Sequence, residues 1–533
     1  MELKYDNIHE YTIKCSNTTQ ITLDDDYNVP DSKTDIDSII KDFGLVVTDG
    51  VRVNQDKAQV EGNLKYAVLY IGKGQEGGRL IPVRLDGSLH FVENVNLSCD
   101  AADTDVTCKA YIEDLTIKPV NSRKISVKAI VSITVTCEEI KNAKVAAQIS
   151  EDEGCKPQLL FKDYEYAQMD VNMRDNLRIK ESMSLPNGKT DISELVWDDV
   201  DVRNVSTRMT EDGLSVSGEL SVFIMYIGND AAGSVQWYET AVPFTEIIDV
   251  SGADPDSICY VGFNMTGKNI DVRPDYDGNN RDIAVELVLD MDIRSYKDSK
   301  KTALWDIYVP LGTMNKKQSD VHLKKLLIRN NTKCRVSDNI KLADYINLLQ
   351  IVNSTARVQI DDYECVPEGI EVRGAVMVNV CYITSDDNAP MGSVNSVIPY
   401  TGVVAIKEYD KENIEYQIRP CIEQLTASMG SNAKIEVKAV VSLDAICFEP
   451  VDFPTIDECE YIPTDEEYYA SLPSMVGYIS DGRCSMWDIA KKYNTTCDAI
   501  RSDNEKAERL SDSDVVPCGT RLLLIKESMQ EQK

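Results

Sequence analysis

Apolar and polar residues alternate along three stretches of the chain, and the three stretches share one pattern. They occupy residues 60–72, 216–228 and 372–384. Each contains a Val-x-Gly triplet, and the glycines Gly62, Gly218 and Gly374 lie 156 residues apart, twice. A period of this length matches a domain rather than a solenoid repeat. The sequence therefore predicts three copies of one domain.

The alternation predicts a β-strand in each copy. In the first copy one face carries an apolar set: Val60, Leu64, Tyr66, Val68 and Tyr70. The opposite face begins polar, at Glu61, and ends apolar, at Leu69 and Ile71. We therefore expect the strand to begin with one face in solvent and to end buried on both faces. The glycines lie on the apolar face, where a strand glycine indicates a β-bulge or a close approach of the backbone.

Each copy ends in a second long alternating segment. These segments cover residues 125–135, 283–293 and 435–445. Polar residues such as Lys128 and Glu286 fall between their apolar positions, which is the one-sided burial of an antiparallel sheet. Helical periodicity is sparse up to residue 450, apart from a short helical piece predicted around residues 35–40 or 191–195. We predict a mainly β protein with three tandem β-sandwich-like or barrel-like domains.

The first two copies open with the same phrase, Pro-x-x-Lys-Thr-Asp-Ile. It starts at Pro30 in copy one and at Pro186 in copy two, and it keeps the 156-residue period. The phrase predicts a turn followed by an acidic residue and an apolar anchor. In copy three the corresponding region, residues 340–346, has neither the proline nor the Lys-Thr pair. The third copy has therefore diverged at its beginning.

The alternating pattern stops after residue 452, where a strongly acidic segment begins. Residues 453–470 contain six acidic and no basic side chains, and Pro454 and Pro463 oppose regular structure. This predicts a charged, extended linker. The predicted boundaries are 1–150, 151–312 and 313–452 for the three β domains, 453–470 for the linker and 471–533 for a last, small domain.

The last domain has a different pattern, which predicts the order β-α-α-β. Residues 475–479 indicate a short strand, and Ser485 to Asp488 resemble a capping box. Met486, Ile489, Ala490 and Tyr493 follow at helical spacing. A second short helix begins near Thr496, and residues 522–525 form a closing strand. From Ser471 onward nine basic residues face ten acidic ones, so this domain is nearly neutral and we expect the linker to hold it away from the acidic domains.

Composition narrows the function classes. The formal net charge of -33 opposes binding to nucleic acid or to an anionic membrane surface. No segment approaches the roughly 18 apolar residues of a membrane span, and the N-terminal residues lack the pattern of a signal peptide. The 15 cysteines include no Cys-x-x-Cys pair, which favours reduced, mostly buried thiols in a cytosolic protein over a disulfide framework or a zinc site.

Motifs with catalytic or cofactor chemistry are weak. His9, His90 and His322 are isolated in the sequence, so we predict neither a metal nor a catalytic role for them. Gly188-Lys189-Thr190 lacks the first glycine of a phosphate-binding loop and is interpreted as a turn. The Gly-x-Gly-x-x-Gly motif at residues 72–77 is followed by no helix, so it predicts a hairpin loop. Asp24-Asp25-Asp26 lacks the spacing of a calcium loop. We predict no catalytic residues, no metal and no cofactor.

The small C-terminal domain resembles a LysM domain. The resemblance rests on Tyr478, residues 486–493, Ile500 with Asn504, and residues 517–522. It implies a shallow groove for N-acetylglucosamine polymers between the loop before the first helix and the loop after the second. The usual Gly-Asp-Thr before the first helix is here Arg483-Cys484-Ser485, which alters the first groove loop.

The three upstream copies resemble SPOCS domains, which precede a LysM domain in spore coat morphogenetic proteins of the SipL type. This resemblance rests on the opening phrase, the Val-x-Gly strand and the domain order. It implies an adaptor on the forespore surface, in the mother-cell cytoplasm. It also implies binding to the coat-basement ATPase of the spore and to other coat proteins, in part through LysM.

These observations predict a non-enzymatic scaffold in endospore coat assembly, with its oligomeric state left open. The residues predicted to bind the partner or a glycan flank the groove: Cys484, Ser485, Met486, Trp487, Asn504, Val515, Pro517 and Gly519. Trp487 also fits the module core, where aromatic residues commonly pack. The alternative is a protein that binds peptidoglycan or another N-acetylglucosamine polymer. A third hypothesis, an enzyme site hidden in a β domain, would require a deep pocket lined by paired acids.

Overall fold

The fold is almost entirely antiparallel β-sheet, with short helices near the C-terminus. The computed structural model describes residues 2–74, 79–101, 104–150, 156–231, 233–252, 254–343, 346–430 and 434–527. The mainly β prediction is confirmed. Among the described residues, no helix combines the length and the apolar character needed to span a bilayer.

The first unit is a two-layer sandwich of six strands. They are β1 (Leu3–Asn28), β2 (Ile36–Asn54), β3 (Lys57–Lys73), β4 (Leu80–Asn96), β5 (Asp105–Asn121) and β6 (Lys124–Ile149). One sheet has the order β2-β3-β4 and the other has the order β1-β6-β5. Leu64 and Phe91 of the first sheet pack with Val131 and Ile133 of the second in one apolar core.

The second and third units repeat this topology. The second consists of β7 (Gln158–Ser184), β8 (Ile192–Thr210), β9 (Gly213–Gly228), β10 (Val235–Ile248), β11 (Ile258–Pro274) and β12 (Asn280–Tyr308). The third consists of β13 (Gly312–Lys341), β14 (Leu348–Val366), β15 (Gly369–Thr384), β16 (Met391–Ala405), β17 (Glu415–Met429) and β18 (Lys434–Pro463). Their sheets have the orders β8-β9-β10 with β7-β12-β11, and β14-β15-β16 with β13-β18-β17.

The Val-x-Gly strand is β3, β9 or β15. It is the central strand of the sheet β2-β3-β4, β8-β9-β10 or β14-β15-β16, here called the smaller sheet of each unit. An aromatic side chain on the neighbouring strand lies opposite each glycine: Phe91 opposite Gly62, Phe244 opposite Gly218 and Tyr400 opposite Gly374. A Cβ atom on Gly374 would lie 2.1 Å from the Gln359 carbonyl oxygen and 2.8 Å from the Tyr400 ring. The strand on the other side carries a register shift at this level in each unit. Both predicted features, the bulge and the close approach, are confirmed.

The same strand is buried on both faces towards its end, as expected, because its outer face lies where the three units meet. Leu69, Met225 and Cys381 occupy equivalent positions in the three copies, and all three are buried in one apolar cluster. The equivalent residues Ile40, Val196 and Val352 join the same cluster. Equivalent positions meet in this way only around a common centre, so the three units are arranged about an approximate threefold axis.

The outer sheets repeat this arrangement along their long strands. Ala146 of β6, Leu304 of β12 and Ile456 of β18 are equivalent residues, and none of them is exposed. The Ala146 amide donates to the Thr455 hydroxyl at 2.9 Å, a hydrogen bond between the first and third units. The distal parts of the three long strand pairs, β1-β6, β7-β12 and β13-β18, therefore pack together and extend the axis beyond the sandwich cores.

A buried polar cluster, here called the junction cluster, lies beside the apolar centre. It consists of Lys41, Asp199, Trp197 and Asn353. Lys41 Nζ lies 2.7 Å from an Asp199 carboxylate oxygen, and the Trp197 indole donates to the same carboxylate at 3.1 Å. The Asn353 amide is a further donor to it. Lys41, Trp197 and Asn353 are equivalent positions, so one carboxylate ties together all three units.

The opening phrase is a turn clamped by an arginine from the end of the same unit. In the second unit Arg281 donates to the carbonyl oxygens of Leu185, Pro186 and Lys189 and pairs with Asp191 at 2.7 Å. In the first unit Arg123 makes the same bonds to the first phrase. The sequence has Ala433 at the corresponding position of copy three, which explains why the phrase is lost there. The short helix predicted around residues 35–40 or 191–195 is wrong, since β2 and β8 begin there.

Replacement of Arg281 by lysine should loosen this turn. An ammonium group cannot span several carbonyl oxygens as the guanidinium fork does, so we expect a loss of about 2 kcal/mol. This corresponds to roughly 30-fold faster hydrogen exchange at the Leu185 and Lys189 amides. Arg273→Lys is the matched control, because that exposed side chain reaches Asp271 only at 4.0 Å. Equal exchange in the two variants would contradict the clamp.

The acidic segment that the sequence predicts as an extended linker is different in the structure. Strand β18 continues through Pro463 and pairs with β13 along its whole length, as far as Gly312 opposite Pro463. Beyond Phe448 it has lost its other neighbour, β17, so Pro454 lies in a stretch paired on one edge only, where a proline is tolerated. The third unit therefore extends to residue 463, and a short helix, α1 (Glu466–Ser471), follows.

The predicted turns and loops agree with the structure, whereas one pair of cysteines does not. The residues of Gly188-Lys189-Thr190 form a turn, and the Asp24 to Asp26 run lies in β1. The loop between β3 and β4 joins paired strands, as a hairpin does, although residues 75–78 lie outside the described residues. Several cysteines are buried thiols, as expected, but Cys15 and Cys99 form a disulfide. The expectation of uniformly reduced thiols is therefore wrong at this pair.

Candidate interaction surface of the C-terminal module

The C-terminal module folds in the predicted order β-α-α-β. Its elements are β19 (Met475–Ile479), α2 (Met486–Lys492), α3 (Cys497–Asp503) and β20 (Arg521–Ile525). The predicted capping box is present: the Ser485 hydroxyl accepts from the Asp488 amide at 3.1 Å, and the Asp488 carboxylate accepts from the Ser485 amide. Thr496 caps α3 in the same manner, through the Ala499 amide.

Helix α1 belongs structurally to this module. The Tyr469 side chain is buried, and its hydroxyl donates to the Glu527 carbonyl oxygen at 2.9 Å. The Lys526 ammonium donates to the carbonyl oxygens of Tyr469 and Leu472. The boundary between the third unit and the module therefore lies near Thr464 rather than at residue 470.

One side of the module is fixed to the end of β12. The Tyr308 hydroxyl donates to the Thr495 carbonyl oxygen at 2.8 Å, and its ring meets the Trp487 ring edge-on, with 4.7 Å between the ring centres. The Asp306 carboxylate accepts from the Trp487 indole at 2.8 Å and from the Lys491 ammonium at 2.7 Å. The module is therefore docked on the β domains, and the prediction that a repelling linker holds it away is wrong.

The docking contact shifts the pKa of the groups that form it. Burial opposes the charge on Asp306, but hydrogen bonds from Lys316, Lys491 and Trp487 outweigh it and lower the pKa to about 2. Burial raises the pKa of the Tyr308 hydroxyl, which stays a neutral donor. Asp306 is thus an ionised carboxylate in a largely buried position, and its charge is balanced from both sides of the contact.

The predicted groove residues fall into two groups. The two groove loops are joined by backbone hydrogen bonds, from Met486 to Asp514 and from Val516 to Cys484, and by a bridge between Ser485 and Val515. The first group is engaged inside the fold. Met486 is fully buried, Trp487 is only 3% exposed, and the Asn504 amide bonds with both the Leu523 amide and carbonyl groups.

The second group is accessible. Val515, Pro517 and Gly519 are exposed on the loop before β20, while Cys484 and Ser485 are half-buried beside it. Gly519 has a backbone φ of +80°, which favours glycine and gives the loop its bend. The loop before β20 is therefore accessible to solvent, although the neighbouring indole of Trp487 is buried in the docking contact.

The structure adds a surface that the sequence interpretation missed, here called the module face. It is the outer side of the β19-β20 sheet and consists of Met475, Ile479, Leu523 and Ile525. Met475 pairs with Ile525 and Gly477 with Leu523, so Met475, Leu523 and Ile525 are adjacent, whereas Ile479 pairs with the exposed Arg521 and lies diagonally beside Leu523. The inner side of the same sheet, with Val476, Tyr478, Leu522 and Leu524, packs on the helices. The sequence signal for this surface was that both short strands carry apolar residues at consecutive positions, so that one face of the sheet packs on the helices and the other is left exposed.

A half-open cleft of about 440 Å³ lies between the β domains. It is bounded by β1, β7, β12 and the β13-β18-β17 sheet. Its walls are rich in aromatic side chains: Tyr11, Tyr166, Tyr296, Tyr416 and Phe448. Glu415 is the carboxylate among its lining residues in the described chain, and it pairs with Lys324 at 2.8 Å. The paired acids that would suggest hydrolytic chemistry are not among these lining residues.

The family model for the SPOCS domain of SipL matches three segments of the chain, residues 35–120, 191–273 and 347–430. This chain carries three SPOCS domains of the SipL family. Each matched segment covers the smaller sheet and the following strand, such as β2 to β5 in the first copy. The long outer strand pairs β1-β6, β7-β12 and β13-β18 lie outside the matches, whereas the apolar centre with Leu69, Met225 and Cys381 lies inside them.

Membership of this family implies a role related to the spore coat. No curated protein and no solved structure shows a significant match to the chain. The family match ends at residue 430, so the LysM resemblance of the C-terminal module stays a prediction.

Proposed function

We propose that this SPOCS protein is a non-enzymatic scaffold of endospore coat assembly. It works in the mother-cell cytoplasm at the forespore surface and docks on a morphogenetic ATPase there through its LysM-like module. The observation that carries this proposal is the module face, an apolar patch on the side of the module sheet opposite its helices. Exposed contiguous apolar side chains on a small domain favour a protein partner.

The groove itself supports a protein partner more than a glycan. Trp487, which follows the altered groove loop at the start of α2, is buried against Tyr308 and Asp306. A sugar ring therefore has no access to the face of this indole while the module is docked. The glycan alternative is supported by the exposed loop with Val515, Pro517 and Gly519, and it is the second candidate function.

Introducing a charge on the module face should weaken binding to the ATPase. We expect Ile479→Glu and Leu523→Glu, each in the full chain, to reduce the affinity for the purified ATPase by at least roughly tenfold, since an apolar contact would then bury a carboxylate. Val397→Glu is the control, because Val397 is 65% exposed, close to the 63% of Ile479, but lies in the third SPOCS domain. Equal binding by all three variants would rule out the module face as the contact.

Retention on purified peptidoglycan separates the two candidate functions. Saturable retention of the full chain, reduced by substitutions at Pro517 or Gly519 but not at Ile479, would establish the glycan alternative.

Localisation in sporulating cells provides a second comparison. A chain truncated after Thr464 should lose its position at the forespore. This truncation removes α1 together with the module, because the two are joined by hydrogen bonds.

A further inference from the structure

Three cysteine sulfur atoms meet in the first SPOCS unit. Cys15 of β1 lies directly opposite Cys137 of β6, and Cys99 approaches from the segment between β4 and β5. The three Sγ atoms all lie within 4.8 Å of one another. Cys15 and Cys137 are buried, whereas Cys99 is half-buried. In the structure Cys15 and Cys99 are joined as a disulfide and Cys137 is a thiol.

The segment that carries Cys99 is held in place independently of the sulfur atoms. The Leu97 amide donates to the Asp56 carbonyl oxygen at 2.7 Å, and the Ala101 amide donates to the Gln55 carbonyl oxygen at 3.2 Å. The Lys14 ammonium donates to the Asp100 carbonyl oxygen at 2.7 Å, which links this segment to β1 beside Cys15. The three thiols would therefore stay close together when the disulfide is reduced.

The fold does not need this cluster, because the other two units are built without it. The residue equivalent to Cys137 is Ser295 in the second unit, where it lies opposite Val171. In the third unit it is Cys447, which lies opposite Ile328. The same pair of strands thus forms with apolar or hydroxyl side chains at these positions. The cysteine trio is an addition specific to the first unit.

We propose that, in its reduced state, this trio binds one thiophilic metal ion, with Zn²⁺ as the physiological candidate. Thiolate sulfurs bind zinc at about 2.3 Å, which places them roughly 3.8 Å apart in a tetrahedral site. The three Sγ atoms lie within 4.8 Å of one another, which is close to this spacing. Two equivalents of a cellular thiol reduce the Cys15–Cys99 disulfide to two thiols and are themselves oxidised to one disulfide. With Cys137 this gives three thiols, whose protons are released to solvent when the metal binds.

Access and surroundings fit a bound cation. Cys99 reaches solvent, so a metal has a path to the cluster, and a water molecule can complete the fourth position. A bound cation would hold the three thiols deprotonated and would tie the Cys99 segment to the β1-β6 pair in a compartment where disulfides do not persist.

The test uses the full-length protein, reduced and stripped of metal. After addition of Zn²⁺ and gel filtration, we expect one equivalent of retained zinc, and Co²⁺ should give thiolate-to-metal charge-transfer absorption. Cys137→Ser should lower the affinity for Zn²⁺ by at least roughly 100-fold. Cys447→Ser is the matched control, because it changes the equivalent buried residue of the third unit and should leave binding unchanged.

Cys99→Ser keeps the test decisive if Cys137→Ser folds poorly, because Cys99 is half-buried and lies outside the strands. Bound zinc should also protect Cys15, Cys99 and Cys137 from alkylation, as mass spectrometry would show. The proposal is overturned if the reduced wild-type chain retains no zinc, or if it retains the same amount as Cys99→Ser and Cys137→Ser.

Discussion

Replacement of Lys41 by methionine is expected to lower the free energy of unfolding by about 3 kcal/mol. The substitution leaves the Asp199 carboxylate buried without its cation, at the point where all three units meet. Burial opposes the charge on Lys41, but Asp199 outweighs this effect and raises the pKa of Lys41, so its ammonium group stays protonated at neutral pH. Chemical denaturation, followed by fluorescence of the tryptophans, measures the loss.

Two controls separate charge from packing in this experiment. The double variant Lys41→Met, Asp199→Leu removes both charges and should recover part of the loss, because buried ion pairs are replaced by apolar side chains at little cost. Lys128→Met breaks an exposed pair with Asp24 at 4.0 Å and should change stability by less than about 0.5 kcal/mol. A loss below about 1 kcal/mol for Lys41→Met would show that the junction does not depend on the pair.

Replacement of Asp306 by asparagine is expected to release the C-terminal module from the β domains. The carboxylate accepts from Trp487 and Lys491 of the module and from Lys316 of β13. A neutral amide cannot balance two ammonium groups, so docking should weaken by about 2 kcal/mol. Hydrogen exchange of the Trp487 indole N–H reports this directly. Asp498→Asn is the control, since Asp498 is exposed and pairs within the module.

The same contact predicts a defined pH dependence. The pKa of Asp306 is about 2 in the docked state, and release of the module removes Lys491 and Trp487 but not Lys316 of β13, so the pKa rises part of the way towards the ordinary 3.8. A lowered pKa stabilises the docked state above the higher value, and this contribution is lost as the pH falls from about 4 to about 2. The wild-type chain should therefore release its module over this range. Asp306→Asn should show no such step, and a step of equal size in that variant would contradict the assignment.

The repeat, its glycines and its doubly buried strand could be predicted because they are local patterns with a fixed period. A glycine opposite Phe91 or Tyr400 is required by steric contact, and such a requirement is visible as an absent side chain in every copy. The clamp of Arg281 was not predictable in this way. It joins residues about 90 positions apart, and an arginine at the start of a strand has many uses.

The acidic segment shows where composition misleads. Asp457, Glu458 and Glu460 suggested repulsion and an extended chain, but β13 offers Lys317 and a complete ladder of hydrogen-bonding partners on the facing strand. The backbone hydrogen bonds to β13 outweigh the repulsion between the acidic side chains. The prolines are tolerated because the other edge of the strand has no partner beyond Phe448. The docking of Trp487 was equally hidden, since its acceptor Asp306 ends a strand in a different domain.

The meeting of Leu69, Met225 and Cys381 at one centre has a consequence for stoichiometry. A ring of three that closes within a single polypeptide leaves no equivalent face on which a further copy could grow. The chain carries one C-terminal module for its three SPOCS domains, so under the proposed function each chain has a single attachment point through that module. A layer held by such monovalent attachments gains avidity only when the partner itself presents many sites in an array.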